Sequence, residues 1–242
     1  FFKRFFYNSS KDLSYNEKLC KKMGFDITKI KSVFNKHELD NYAMSLWSYY
    51  IIAAISNAEK LKILEIGTLR GGMTNFMASV FPNSEVYTVE LPNTDGFNQN
   101  MKAKDLNMLK EDKEKIKKNL IEKKNNLNKS NIYYSEIDSF YLHSKFEENQ
   151  FDLIFVDGDH SHPQVTIDLF QSYNLCKKGG CIIVDDVMML NSYQKKHAPE
   201  QNIYLFLEKL SEKGLLETNY FVQRIYKTNS FNKKYVSYSI KT

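Results

Sequence analysis

Two short stretches concentrate the groups that could do chemistry. FVDGDHSH, residues 155–162, sets Asp157, Asp159, His160 and His162 at the end of an apolar run, FDLIFV. GCIIVDD, residues 180–186, ends in Asp185 and Asp186. Carboxylates crowded together repel and raise one another's pKa, a conflict that a divalent cation resolves. An all-oxygen donor set suits Mg²⁺, Mn²⁺ or Ca²⁺ better than zinc. An imidazole beside such a set can take the proton of a reacting hydroxyl, since its ordinary pKa of about 6.5 lies near neutrality.

A third stretch, EIGTLRGGMT over residues 65–74, has a different use. Gly67, Gly71 and Gly72 permit a tight turn and let a ligand approach the backbone at a helix N-terminus. The spacing is E-x-G-x-x-x-G rather than G-x-G-x-x-G, and no Lys-Ser/Thr follows as a phosphate loop requires. Glu90 follows Gly67 by 23 residues at the end of a second apolar run, where a carboxylate can accept both hydroxyls of a ribose. Together the loop and the acid point to an adenosine-containing cofactor.

These groups need a frame. KILEIG (62–67), EVYTVEL (85–91), NIYYSEI (131–137), FDLIFVD (151–157) and GCIIVDD (180–186) read as strands, with helical patterns between them. Val165, Leu169 and Tyr173 form one helical stripe, with Pro163 placed for the first turn. The alternation indicates an α/β fold, its sheet mostly parallel and covered on both faces. The tail segments NYFVQRIY (219–226) and KKYVSYSI (233–240), joined by TNSFN, read as a closing antiparallel hairpin. Residues 1–60 read as a mainly helical cap or dimerisation segment, which leaves a homo-oligomer open, and 61–242 as the main domain. Residues 92–130 form a Lys-rich insertion in which Glu111/Lys115 and Glu114/Lys118 make i,i+4 pairs, the pattern of a solvated helix.

Composition excludes several classes. The net charge of +5 is too mild to argue for nucleic acid, and the lysines of the insertion are not interleaved with aromatics. Cys20, Cys176 and Cys181 form no CxxC pair, which speaks against a disulfide framework or a zinc site and fits a reducing cytosol; a cytoplasmic placement is expected. No apolar stretch approaches the roughly 20 residues of a membrane span. The opening FFKRFFYNSS has no initiator Met, compatible with a start inside a longer chain, and is too short and charged for a signal-peptide core.

ILEIGTLRGGMT resembles motif I of class I S-adenosylmethionine-dependent methyltransferases. The resemblance implies their Rossmann-like seven-stranded sheet in the order 3-2-1-4-5-7-6. It places Glu65 and Gly67 by the methionine moiety, Glu90 on the ribose, Asp138 and Ser139 at the adenine, and Asp157 beside the cofactor. In that fold strands four and five are neighbours, about 4.8 Å apart, with their C-terminal ends on the cofactor side. Asp157, Asp185 and Asp186 then become ligands for a divalent ion, Mg²⁺ or Mn²⁺. VDGDHS followed by IIVDD is similar to the metal-dependent O-methyltransferases of the macrocin and mycinamicin type and to cephalosporin-hydroxylase-like proteins. In the sugar enzymes of that branch the histidine three residues after the first ligand is the base, here His160. The catechol and caffeoyl-CoA enzymes carry Asp-Asn where this chain has Asp185-Asp186, and a lysine base in place of His160. The similarity covers about residues 60–190.

The expected activity is in-line methyl transfer from S-adenosylmethionine to a metal-bound sugar hydroxyl, free, glycosidic or in a nucleotide sugar, with His160 as base. A catechol or other diol acceptor is the first alternative, a nucleic-acid-binding relative the second, and a degenerate cofactor-binding scaffold the third. Asp159 reads as a turn or supporting residue and His162 as a cap or surface residue. His37 fits either an active-site cap or plain exposure, and Tyr193, Lys195 and Lys196 either a substrate loop or a charged one. His143 and His197 carry no signal.

Overall fold

The computed structural model describes residues 9–36, 47–56, 60–92, 110–160, 162–188, 203–223 and 234–242. Outside them lie the aromatic opening up to Asn8, His37, the first part of the insertion, the segment with Tyr193, Lys195, Lys196 and His197, and the TNSFN turn. The side chains of Glu111, Glu114 and Lys115 also lie outside.

Seven strands form one sheet: β1 Lys62–Ile66, β2 Glu85–Glu90, β3 Ile132–Glu136, β4 Phe151–Val156, β5 Cys176–Met188, β6 Leu216–Val222 and β7 Lys234–Lys241. Their spatial order is β3-β2-β1-β4-β5-β7-β6. The first five are parallel neighbours, and β7 enters antiparallel between β5 and β6. The expected sheet, order and closing hairpin are all present.

The period of two in the strands decides what each face buries. Ile63, Leu153, Phe155, Cys181, Ile183, Val236 and Tyr238 point to one face. Leu64, Ile66, Ile154, Val156, Ile182 and Val184 point to the other. The first face is covered by α1 Ser9–Lys22, α2 Ile27–Lys36, α3 Trp47–Ala54 and α4 Gly72–Val80, through Cys20, Ile30, Trp47, Ile51, Phe76 and Met77. Trp47 stacks on Phe221 at 6.0 Å and Phe25 meets Tyr238 edge-on at 5.5 Å. Covering the second face are α6 Gln164–Leu175, α7 Ile203–Glu212 and the 3₁₀ turn Ser139–Ser144; α5 Lys110–Asn126 precedes β3. Val165 and Leu169 of the expected stripe are buried there, with Tyr173 packed beside them.

The edge strand β6 is partly sealed by α1. Buried Asn16 donates to the Val222 carbonyl at 2.9 Å and accepts from its N–H at 2.8 Å, doing for the edge what a neighbouring strand would do. Among the described residues no helix is long and apolar enough to cross a membrane. The three cysteines are buried free thiols.

Candidate functional site

Register aligns the strand ends. Ile66 lies opposite Val89 of β2 and Val156 of β4, and Val156 lies opposite Val184 of β5. The next residues, Gly67, Glu90, Asp157 and Asp185, therefore form one row along the C-terminal rim of the sheet. Gly67 sits at φ 101°, and a Cβ there would lie 2.3 Å from the Asp157 carbonyl oxygen, so the rim closes only with glycine. Gly71, also left-handed at φ 71°, leads into α4 beneath Leu127, whose Cδ2 a Cβ would approach to 3.0 Å.

Glu65 lies under this loop, fully buried. Thr74 of α4 and Thr88 of β2 both donate to its Oε2, the latter at 2.6 Å, and Thr68 meets Thr88 at 2.7 Å. Burial pushes the Glu65 carboxyl up to about 8; the threonine hydrogen bonds oppose that, and the charges of Asp157 and Glu90 add to it. Glu90 at the end of β2 is bonded by Lys123 of α5 and by the Tyr134 hydroxyl.

At the adenine position expected for Asp138 and Ser139, both side chains have work within the chain. Asp138 Oδ1 accepts from the Phe140 N–H at 2.9 Å, capping the 3₁₀ turn. The Ser139 hydroxyl donates to buried Asp168 and accepts from Gln164.

The other end of the row carries three carboxylates. Between Val184/Ser237 and Val187/Tyr235 the β5–β7 ladder shifts by one residue, a bulge holding Asp185 and Asp186. Asp186 adopts φ 53°, and the bulge breaks the alternation that would send consecutive side chains to opposite faces. Asp185 Oδ1 accepts from Gln223 at 2.7 Å, and Asp186 Oδ2 accepts from Lys234. His160 Nε2 stands 3.4 Å from Asp157 Oδ1 and 3.8 Å from Asp186 Oδ2, bringing the two motifs together.

The electrostatics follow from this crowding. Burial first, then the charges of Asp157 and Asp186, raise the Asp185 carboxyl to about 7. Asp186 is partly buried too, yet its bond to Lys234 holds it below the usual carboxylate range. Burial alone would lower the His160 pKa; the bond to Asp157 and the charges of Asp186 and Asp185 outweigh it and raise it.

The donor chemistry fits a divalent ion: three carboxylates share one rim, and among the described residues buried Asp186 Oδ1 has no hydrogen-bond partner. As the side chains stand, no three or more His, Cys, Asp or Glu among the described residues close into an ion-holding group. Lys234 supplies a positive charge to the cluster instead. Asp159 is exposed at the turn, and exposed His162 bonds Thr166 at 2.9 Å, as a surface residue at a helix start would. His143 lies 3.5 Å from Gln171.

Sequence reasoning missed Lys123, Tyr134, Gln223 and Lys234, which reach the rim from distant segments with no local motif. Thr74 was within reach, lying inside the glycine stretch two residues into α4.

A family model described as a methyltransferase domain matches residues 64–187, just over half of the chain. "Uncharacterized protein R132" of Acanthamoeba polyphaga mimivirus is 27% identical over 145 residues, 57% of this chain and 58% of that protein. Among solved structures, a candidate caffeoyl-CoA O-methyltransferase from Staphylococcus aureus has a TM-score of 0.53 at 17% identity, covering 95% of this chain and 98% of that one. A SAM-dependent methyltransferase from Aquifex aeolicus has a TM-score of 0.53 at 14% identity, covering 90% and 100%. Cofactor-bound Rv0187 from MTB has a TM-score of 0.51 at 17% identity, covering 89% and 88%. Those likenesses confirm the fold, the matched segment runs from β1 through the carboxylates of β5, and the chain belongs to the methyltransferase-domain family.

Proposed function

We propose that this methyltransferase uses S-adenosylmethionine to methylate a hydroxyl oxygen of a small molecule, with a sugar, free or carried on a nucleotide or glycoside, as the acceptor class. The observation that carries the reading is His160 set between Asp157 and Asp186 on the same rim as the glycine loop. The sugar class rests on the resemblance of VDGDHS and IIVDD to the macrocin and mycinamicin enzymes.

Glu65, Gly67, Gly71, Gly72, Glu90, Asp138, Ser139 and Asp157 would border the cofactor. The adenine end would use Asp138 and Ser139 chiefly through their backbone, because Asp138 Oδ1 accepts from the Phe140 N–H and the Ser139 hydroxyl is engaged by Asp168 and Gln164. The sulfonium carries an already activated methyl group, so the residues around it need to align the acceptor oxygen and remove its proton. His160, its Nε2–H facing Asp157, takes that proton at the other ring nitrogen, Nδ1, as the oxygen–carbon bond forms and the carbon–sulfur bond breaks. Asp157 orients the ring and stabilises the imidazolium that results. Asp157, Asp185 and Asp186 would hold a divalent ion, Mg²⁺ or Mn²⁺, whose contribution is Lewis-acid stabilisation of negative charge on the acceptor oxygen.

The test is a methyl-transfer screen against nucleotide sugars, glycosides and catechols, run with Mg²⁺ or Mn²⁺ and again in EDTA. The expected result is transfer to a sugar hydroxyl that chelator abolishes and metal restores. Full activity in EDTA would remove the ion from the reading. Transfer to catechols alone would move the acceptor class to aromatic diols.

A further inference from the structure

The second half of the Lys-rich insertion is docked on the cofactor loop. Glu122 of α5 pairs with Arg70 at 3.6 Å, and Asn126 donates to the Arg70 carbonyl at 2.8 Å. Asn75 of α4 donates to Asn126 Oδ1 at 3.3 Å, and Lys129 just beyond the helix donates to the Asn75 carbonyl at 3.1 Å. These contacts fix the last turns of α5 and so determine where Lys123 ends up.

Lys123 turns inward, with 17% of its side chain exposed. Its ammonium bonds Glu90 Oε2 and the Tyr134 hydroxyl, the latter at 2.8 Å, and sits 4.4 Å from the centroid of the Tyr134 ring. The Tyr134 hydroxyl, whose one proton is shared between Glu136 Oε1 at 3.1 Å and Glu90 Oε2 at 3.2 Å, stands on the other side of that oxygen. Among the described residues nothing bonds Glu90 Oε1. A carboxylate clamped through one oxygen presents the other in a fixed direction, the preorganisation a vicinal diol needs in a partner. Two of the three ammonium donors are spent on these contacts.

We propose that Lys123 is a positioning residue for the cofactor: with Tyr134 it pins Glu90 Oε2 so that Oε1 meets the ribose hydroxyls, making the insertion helix a part of the cofactor site. The inference rests on the reading of Glu90 as the ribose acceptor and adds a recognition role for a segment whose charge pattern reads as mere solvation.

Calorimetry on the full chain tests it with two ligands, S-adenosylhomocysteine and its 2′,3′-dideoxy analogue, which lacks both hydroxyls that Glu90 would accept. Lys123→Met should weaken S-adenosylhomocysteine about tenfold, the size of one charge-assisted hydrogen bond, while changing the dideoxy analogue by less than about twofold. Tyr134→Phe, which keeps the ring and removes the hydroxyl, should show the same selectivity to a smaller degree. Equal losses for both ligands, or tighter binding of S-adenosylhomocysteine by the Lys123 variant, would overturn the role. Glu90→Ala separates the two levels. If that change leaves S-adenosylhomocysteine binding intact, the ribose reading fails; if it weakens binding and Lys123→Met does not, only the positioning role fails.

Discussion

The buried carboxyl of Glu65 makes the stability of this protein depend on pH in a direction opposite to that of an ordinary paired acid. Its side chain is 1% exposed, and its pKa is raised from the ordinary 4.5 to about 8. In the unfolded chain the proton leaves near 4.5; in the folded protein it stays until about 8. Between those values the native state binds more protons than the unfolded one, so stability is full below pH 4.5 and is lost as pH rises through 8. The slope approaches one proton, about 1.4 kcal/mol per pH unit, which gives a loss of about 2.5 kcal/mol between pH 5.5 and 7.5. Glu65→Gln keeps an acceptor for the Thr74 and Thr88 hydroxyls and cannot titrate. Urea unfolding of both ligand-free proteins at the two pH values isolates the effect, because every other titrating group cancels in the difference. The native protein should lose about 2.5 kcal/mol relative to the variant across that interval. A difference constant to within about 0.5 kcal/mol would mean that Glu65 is ionised throughout, and that the two threonine bonds outweigh burial.

His160→Ala should lower turnover by about 10²–10⁴ with S-adenosylhomocysteine affinity unchanged in calorimetry, and a near-native rate would end its role as base. Because the imidazole must be neutral to accept a proton and its pKa is raised, kcat should climb with pH through a limb above the ordinary 6.5, a limb missing from the variant's residual rate. Asn16→Ala should cost about 2–4 kcal/mol in chemical denaturation, since it strands both the N–H and the C=O of Val222 at a buried site. A loss under about 0.5 kcal/mol would show that water reaches the β6 edge.

Local pattern sufficed for a large part of this molecule. Alternation of apolar residues names the strands and their faces, and a strand that ends in a carboxylate announces itself within six or seven residues. Hence Gly67, Glu90, Asp157 and Asp185 could be placed at neighbouring strand ends from sequence together with the family's strand order, and the register puts them in one row. His160 came from the family resemblance, which sets the histidine three residues after Asp157 as the base.

Tertiary structure alone decided what each of those groups touches. Glu90 meets a lysine 33 positions away, Asp185 a glutamine 38 away, and Asp186 a lysine 48 away. Asn16 reaches Val222 across 206 positions. None of these partners carries a local signature, because a lysine or glutamine on a polar stretch reads the same whether it ends in water or on a carboxylate. The docking of α5 on the glycine loop, the one-residue bulge in β5 and the register of β7 against it turn these side chains inward. Each depends on how separate elements pack, and the interactions that set packing act between residues no sequence window contains.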